Sequence, residues 1–280
     1  MKIKYDRHSG LYKKLSSNSD KLNWLNNNSL DHYRHLRIKS LIKPLIQLSK
    51  RRKWLTVGDG RYGTDANYLL NSGVKEVHAS DISDALLKIG KKKNFINDYS
   101  SQNAEHLGFE DDSYDYLLCK ESYHHFPRPN IALYEMIRVA KEACILIEPL
   151  EPKKNFLLKN SSKYEFEEVG NFVYTVSPSE IEKIMLGIGL KYYALKGIND
   201  YYFNGVEEVL TNGKSNIKDR ILIFRFQLII LIKNILTLFG FKNWNLISII
   251  IFKKKPSNKV RNQLIKNNFK IKTLPDNPYS

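Results

Sequence analysis

In the first half of the chain, short apolar bursts alternate with stretches whose apolar residues recur at helical spacing. Trp54, Leu55 and Val57 predict a strand over 53–57, and a helix follows over 64–71. The alternation continues with a strand over 76–80, a helix over 83–95 with Ser83 as its N-cap, and a short strand over 99–102. A strand over 114–120, a helix over 130–140 and a strand over 143–148, stopped by Pro149, complete this half. Such alternation predicts a parallel sheet with helices on both faces. Ahead of it, the apolar residues from Leu36 to Leu48 predict a helix over 30–49, kinked or restarted at Pro44. Residues 1–29 are polar and read as loose.

After Pro149 the rhythm changes. Residues 151–175 are charged and irregular, and Pro178 opens a helix that runs to about Gly187. Strands are expected over 190–195 and 246–252. Between them, 221–239 is the most apolar stretch of the chain. A membrane span needs roughly 20 mostly uncharged residues, and Arg225, Gln227, Lys233 and Asn234 interrupt this one. A helix packed on the core or covering an acceptor pocket is the favoured reading. Peripheral membrane contact through 221–239 is the alternative, because the tail from Lys253 is basic. That tail is expected to fray.

Chemistry enters at the end of the first strand. The sequence runs into Gly58-x-Gly60-x-x-Gly63, and the second strand ends in Asp81, twenty-one residues after Gly60. Glycine admits positive φ and close approach of a ligand, and the helix after the turn offers its free N–H groups. A carboxylate at Asp81 can accept hydrogen bonds from both hydroxyls of a ribose. This layout implies a nucleoside-containing cofactor and leaves open which one.

The 280 residues suffice for one large α/β domain with additions. The net charge of +16 raises nucleic acid, membrane or acidic substrates as partners. The lysines are dispersed, though, within a chain rich in lysine, asparagine and isoleucine throughout, and no basic stripe is interleaved with aromatics. Nucleic-acid binding is therefore disfavoured. Cys119 and Cys144 lie in apolar runs and read as buried thiols of a reducing compartment. The polar, basic start at 1–6 reads as lacking a signal segment, so a cytoplasmic protein is expected, peripheral at the inner membrane face if 221–239 touches lipid. His32 and His35 read as solvent-facing, and no metal site is expected.

The stretch from Asn103 decides between cofactors. It carries N-A-E-H-L-G-F, then D-S-Y-D, then S-Y-H-H-F-P, and ends at I-E-P. That order of features resembles the class I S-adenosylmethionine-dependent methyltransferases, in particular the group related to ubiquinone-biosynthesis methyltransferases. The resemblance covers 53–149, a third of the chain. It implies a Rossmann-like seven-stranded sheet, mostly parallel with an antiparallel last strand. Helices would cover both faces; the N-terminal helical extension and the inserted apolar helix before the last strand are read from this chain's own pattern, and the insertion departs from the compact family core.

The resemblance also implies roles. Gly58 and Gly60 carry the turn beneath the methionine moiety of S-adenosyl-L-methionine. Asp81 binds the ribose, Ile82 packs on the adenine, Asn103 and Ala104 meet its edge, and Lys120 ends the fourth strand near the methyl donor. The family's acid two positions before the first glycine is replaced by Thr56, so Asp59 is the candidate partner of the methionine ammonium. The expected third glycine is Tyr62, with Gly63 one step late. His124 and His125 are candidate catalytic bases, and Glu148 a candidate pocket residue.

The resulting division is an N-terminal helical extension or lid over 1–50, a cofactor-binding domain over 51–255 with an insertion at about 200–243, and a basic tail over 256–280. The acceptor is expected to be a small molecule, a glycan or a lipid-linked molecule, methylated on O or N. Tyr164, Tyr174, Tyr192, Tyr193, Tyr201 and Tyr202 offer an aromatic lining for it. Two alternatives stand beside this reading. One is an NAD-dependent oxidoreductase, which would place a parallel strand next in the sheet. The other is a non-catalytic, membrane-associated module on the same scaffold.

Overall fold

The computed structural model describes residues 5, 10, 24–152, 166 and 172–278. Most of 1–29 and of 151–175 therefore lies outside the described residues, as does Tyr164. Among the described residues, eight strands form one sheet: β1 (Lys53–Val57), β2 (Glu76–Asp81), β3 (Asp98–Ser101), β4 (Tyr114–Lys120), β5 (Ala140–Pro149), β6 (Tyr192–Ile198), β7 (Leu246–Phe252) and β8 (Lys270–Thr273). Their order is β3-β2-β1-β4-β5-β7-β6-β8. The first five run parallel, and β7 runs antiparallel to both β5 and β6. The strand beside β5 is thus antiparallel, against the continued parallel sheet that the oxidoreductase reading required.

Alternation along each strand builds two cores. Trp54, Tyr116, Leu118, Ile145 and Ile250 face one side, and Leu55, Leu117, Cys119, Leu146 and Ile249 face the other. Both faces are covered, which is why these strands read as nearly continuous apolar runs. On the first side lie α1 (Leu30–Lys39), α2 (Lys43–Ile46), α3 (Thr64–Asn71), α4 (Ala85–Lys92) and α8 (Asn258–Lys266). On the second lie α5 (Pro129–Val139) and α6 (Pro178–Gly187). Between α1 and α2 the chain makes a tight turn over Ser40–Ile42, and Pro44 sits in the first turn of α2. Proline has no N–H for a continuing helix, so the expected restart occurs there.

Three expectations are corrected. Ser83 does not cap α4: the capping position is Asp84, and the Ser83 N–H instead donates to the Asp81 carboxylate. The tail does not fray; α8 returns Leu264 and Phe269 to the core, and β8 adds an eighth strand beside β6. The inserted helix α7 (Ile217–Leu238) is not a core helix. Only Asp219, Phe226 and Ile230 are buried on it. Phe226 and Ile230 join Leu30 of α1 and Val206 and Val209 of the preceding loop in a third, small cluster.

Gly90 shows how tightly α4 is seated. A Cβ there would fall 2.3 Å from the carbonyl oxygen of Tyr62. Gly90→Ala is expected to destabilise the protein by about 1–3 kcal/mol through overpacking, despite alanine's better helix propensity. Thermal melting checks this: an unchanged or raised Tm would mean the turn can move aside.

Candidate active site

The carboxyl ends of β1, β2, β4 and β5 meet at one edge of the sheet. Register sets them side by side: Val57 opposite Ser80 and Cys119, and Lys120 opposite Ile147. The connections from β1 and β4 diverge to opposite sides here, which opens a crevice that ligands occupy in such sheets. Two cavities fill it, one of about 590 Å³ and one of about 80 Å³. They share Gly58, Ser122 and His125 in their linings.

The smaller cavity is lined by Asp81, Ile82, Asn103 and Ala104, with Tyr5 at its side. The Tyr5 hydroxyl donates to Glu105 at 2.7 Å, and Arg128 donates to Tyr5. Burial pushes the Asp81 carboxyl up to about 6, against the N–H groups of Ser83, Gly60 and Ile82 that favour its ionised form. Asn103 keeps its turn by accepting from the Glu105 N–H at 3.0 Å. Gly58 has φ +76°, and a Cβ there would lie 2.4 Å from that of Ser122. Tyr62 takes φ +60° without being glycine. The left-handed turn is therefore retained with a tyrosine, at a strain of roughly 1–2 kcal/mol.

The larger cavity is a charged chamber roofed by one face of α1. Asp31, Arg34, His35 and Lys39 recur at helical spacing and all line it. Arg34 bonds Asp200 at 2.6 Å and also pairs with Asp31 and Glu121. Burial opposes the Arg34 charge, but Asp200, Glu121 and Asp31 raise its pKa overall. Lys120 donates to Glu121 at 3.0 Å and stands 3.7 Å from Asp65. Burial likewise disfavours the Lys120 cation, and Asp65 and Glu121 more than restore it. Glu121 sits at φ +50°, an uncommon conformation for a non-glycine residue, as is found at functional sites. Burial and Lys120 lower the His35 pKa, which keeps that imidazole neutral.

At the rim shared with β5, His124 Nδ1 lies 2.6 Å from Glu148 Oε2. Glu148 is 0% exposed. Its other oxygen accepts the N–H groups of Ser122 and Tyr123 at 2.9 and 3.0 Å. A buried carboxylate thus fixes both the turn after β4 and the orientation of the histidine it carries.

The expected residues divide accordingly. Gly58, Asp59, Asp81, Ile82, Asn103, Ala104, Lys120, His124 and His125 line one cavity or both. Gly60 and Gly63 line neither. The N–H of Gly60 bonds Asp81, and a Cβ on Gly63 would lie 2.7 Å from Ile96, so Gly63 is a packing glycine. Asp59 is largely committed to the fold. It accepts from the N–H groups of Asp65 and Ala66 and from the Thr56 hydroxyl, capping α3. Burial and the Asp65 charge push its carboxyl up to about 7.

His32 and His35 are not solvent-facing, since both line the larger cavity. Of the described tyrosines expected to line an acceptor pocket, Tyr202 alone does so. Tyr193 is buried in the second core and bonds Glu182. The polar face of α1 was visible as a helical repeat of Asp31, Arg34 and Lys39. Nothing local said that it would point inward.

A family model described as a methyltransferase domain matches residues 55–147. The ubiquinone/menaquinone biosynthesis C-methyltransferase of Bartonella quintana is 29% identical over 178 residues, 59% of this chain and 67% of that enzyme. Two further Bartonella relatives of the same name align over 35% of their own length. Among solved structures, the YcgJ protein from Bacillus subtilis superposes with a TM-score of 0.51 at 18% identity, covering 78% of this chain and 99% of that one. The magnesium protoporphyrin IX methyltransferase from Synechocystis, with bound S-adenosylmethionine, gives 0.50 at 16% identity, covering 72% and 95%.

Proposed function

Because the chain belongs to the class I S-adenosylmethionine-dependent methyltransferases, we propose that it moves a methyl group by in-line displacement to an acceptor held in the larger cavity. The observation that carries this reading is the lining common to the two cavities. Gly58, Ser122 and His125 stand between an end suited to a nucleoside and an end large enough for a second substrate. The cofactor supplies an already activated methyl group on a sulfonium.

The chain's own residues do the rest. Asp81 accepts the ribose hydroxyls, Ile82 and Ala104 flank the adenine, and Asn103 meets its edge. The fit rests on a buried carboxylate at the margin of the small cavity and on a turn whose close approach to Ser122 admits no side chain at Gly58. Gly60 contributes by fixing Asp81, and Lys120 and Glu121 line the larger chamber. Gly63 and Asp59 act through the shape of the turn.

His124, oriented by Glu148, takes a proton from the acceptor. Alignment of donor and acceptor supplies most of the rate, and a positioned base adds roughly 10²–10⁴-fold. A base of this kind suits a hydroxyl or amine of a small molecule, glycan or lipid-linked acceptor. Methylation of a carbon on a hydroxylated ring is the second reading, favoured by the C-methyltransferase names of the relatives. The free, buried thiols of Cys119 and Cys144 support a reducing, cytoplasmic setting.

The deciding experiment is calorimetric titration with S-adenosylhomocysteine and, separately, with NAD. Micromolar binding of the first and silence with the second is expected; the reverse would sink the proposal. The acceptor is then sought by transfer of labelled methyl from S-adenosylmethionine into fractionated cell extract.

A pH dependence follows from Asp81. Its ionised form accepts the ribose hydroxyls, so affinity for S-adenosylhomocysteine is expected to fall as pH drops through about 6. The decline is roughly tenfold per pH unit below that value. In the ligand-free protein the sign is opposite. A carboxyl whose folded pKa is raised contributes stability in acid that is lost as pH climbs through about 6. Titrations across this range check the first effect, and Asp81→Asn should flatten it.

A further inference from the structure

Helix α7 is capped by a reciprocal pair, Asn216 and Asp219, and runs for 22 residues. Its inner line is fastened to the protein. Phe226 is buried in the small cluster with Leu30, and Lys233 Nζ donates to the Asp200 carbonyl at 2.6 Å. Asn234 and Thr237 accept from Asn199. On the opposite side, Ile217, Ile221, Phe224, Leu228, Leu231 and Ile235 follow at alternating spacings of four and three. All are exposed, Ile217 by 78% and Phe224 by 66%, and Leu238 ends the strip at 77%. Phe239 and Phe241 extend it past the helix end and are also exposed.

We propose that α7 docks on an anionic lipid bilayer, lying along the surface with this outer strip sunk into the boundary between headgroups and acyl chains. Charge selects the occupant. The exposed flanks carry Lys218, Arg220 and Arg225, with Lys242 just beyond the C-terminal end. The helix has one acid, Asp219, which is buried in the capping box.

A strip of threes and fours also invites a second copy of the helix. Two copies would bring these cations together without a counter-charge in either orientation. Anionic headgroups supply that charge at every point of the strip, and the apolar residues supply the burial. The helix is long and apolar enough to cross a membrane. Spanning, however, would tear Lys233 and Asn234 from their partners and leave them in hydrocarbon.

Topology roots this insertion at the sheet edge that carries the site. The insertion leaves the sheet at the end of β6 and re-enters at Leu246, which pairs with Pro149 and Ile198. Both crossings are therefore at the edge where the cavities open. Tyr201 packs near Phe226, and its neighbour Tyr202 lines the larger cavity. Docking on lipid is a property of α7 alone and holds whichever acceptor the site takes.

The test is flotation of the full chain with vesicles of phosphatidylcholine alone and of phosphatidylcholine with phosphatidylglycerol in equal parts. The wild type is expected to float with the anionic vesicles, weakly with the neutral ones, and to be released by salt. Phe224→Asp combined with Leu231→Asp, at two exposed positions, should abolish flotation and leave the thermal melt unchanged. Arg220→Gln combined with Arg225→Gln should weaken binding by roughly fivefold per cation removed. No flotation with anionic vesicles, or equal flotation of the Phe224/Leu231 variant, overturns the proposal. So does lipid-free self-association in sedimentation velocity that this variant abolishes while wild-type flotation is absent, which would assign the strip to a second copy.

Discussion

Asp81→Ala is expected to weaken S-adenosylhomocysteine binding by roughly 10²–10⁴-fold. Hydrogen bonds to a charged partner contribute about 1.5–3 kcal/mol each, two ribose hydroxyls are at stake, and each 1.4 kcal/mol is about a factor of ten. The carboxylate also organises its own surroundings. It accepts the Ser83 N–H at 3.0 Å, and the Gly60 and Ile82 N–H groups bond it as well. Alanine therefore removes the ribose acceptor and loosens the glycine turn together. Asp81→Asn separates the two effects: its amide oxygen keeps one acceptor, so the turn should hold while affinity falls by a smaller factor. Calorimetric titration of both variants is the measurement. Alanine binding within about threefold of wild type would remove Asp81 from the cofactor site.

Glu148 is expected to show the second large effect, divided between stability and chemistry. Glu148→Ala leaves the buried N–H groups of Ser122 and Tyr123 without an acceptor, at about 1–3 kcal/mol each. Its Tm should fall markedly. Glu148→Gln keeps an acceptor for both N–H groups and should melt near wild type. Its amide nitrogen, however, would face His124 Nδ1 as a donor, which favours the tautomer carrying its proton on Nε2. That imidazole cannot take a proton there. Methyl transfer should then drop by roughly 10²–10⁴-fold while S-adenosylhomocysteine affinity barely moves. Full transfer activity in a well-folded Glu148→Gln protein would show that His124 is not the base.

The parallel half of the sheet was legible because its strands are buried on both faces and read as apolar runs between helix-spaced segments. The bounds of β4 and β7 emerged from the sequence as they stand in the structure. The tail was misread for a physical reason. Its nine-residue helix α8 is capped by Ser257 and carries only one buried side chain, Leu264, so its pattern is dominated by lysine and asparagine. Packing against the rest of the protein, and pairing of β8 with β6, provide the order that local propensity does not. Tyr62 shows the converse. The expected glycine is missing, yet neighbouring packing imposes the left-handed turn on the residue that is there.

The sequence by itself determined the parallel half of the sheet, the glycine turn, the acid at Asp81 and the histidines after β4. Each is encoded within one strand–turn–helix unit by periodicity and backbone sterics. Only the tertiary structure decided how α1 completes the site and where α7 lies. It turned the polar face of α1 inward to make a chamber of Arg34, His35 and Lys39, joined Glu148 to His124 across adjacent strands, and spent the Asp59 carboxylate on capping α3. It also left one side of an apolar helix facing outward. Those outcomes depend on which surfaces remain for burial once the sheet has formed, and hydrophobic spacing records that a helix has an apolar side without recording what that side will meet.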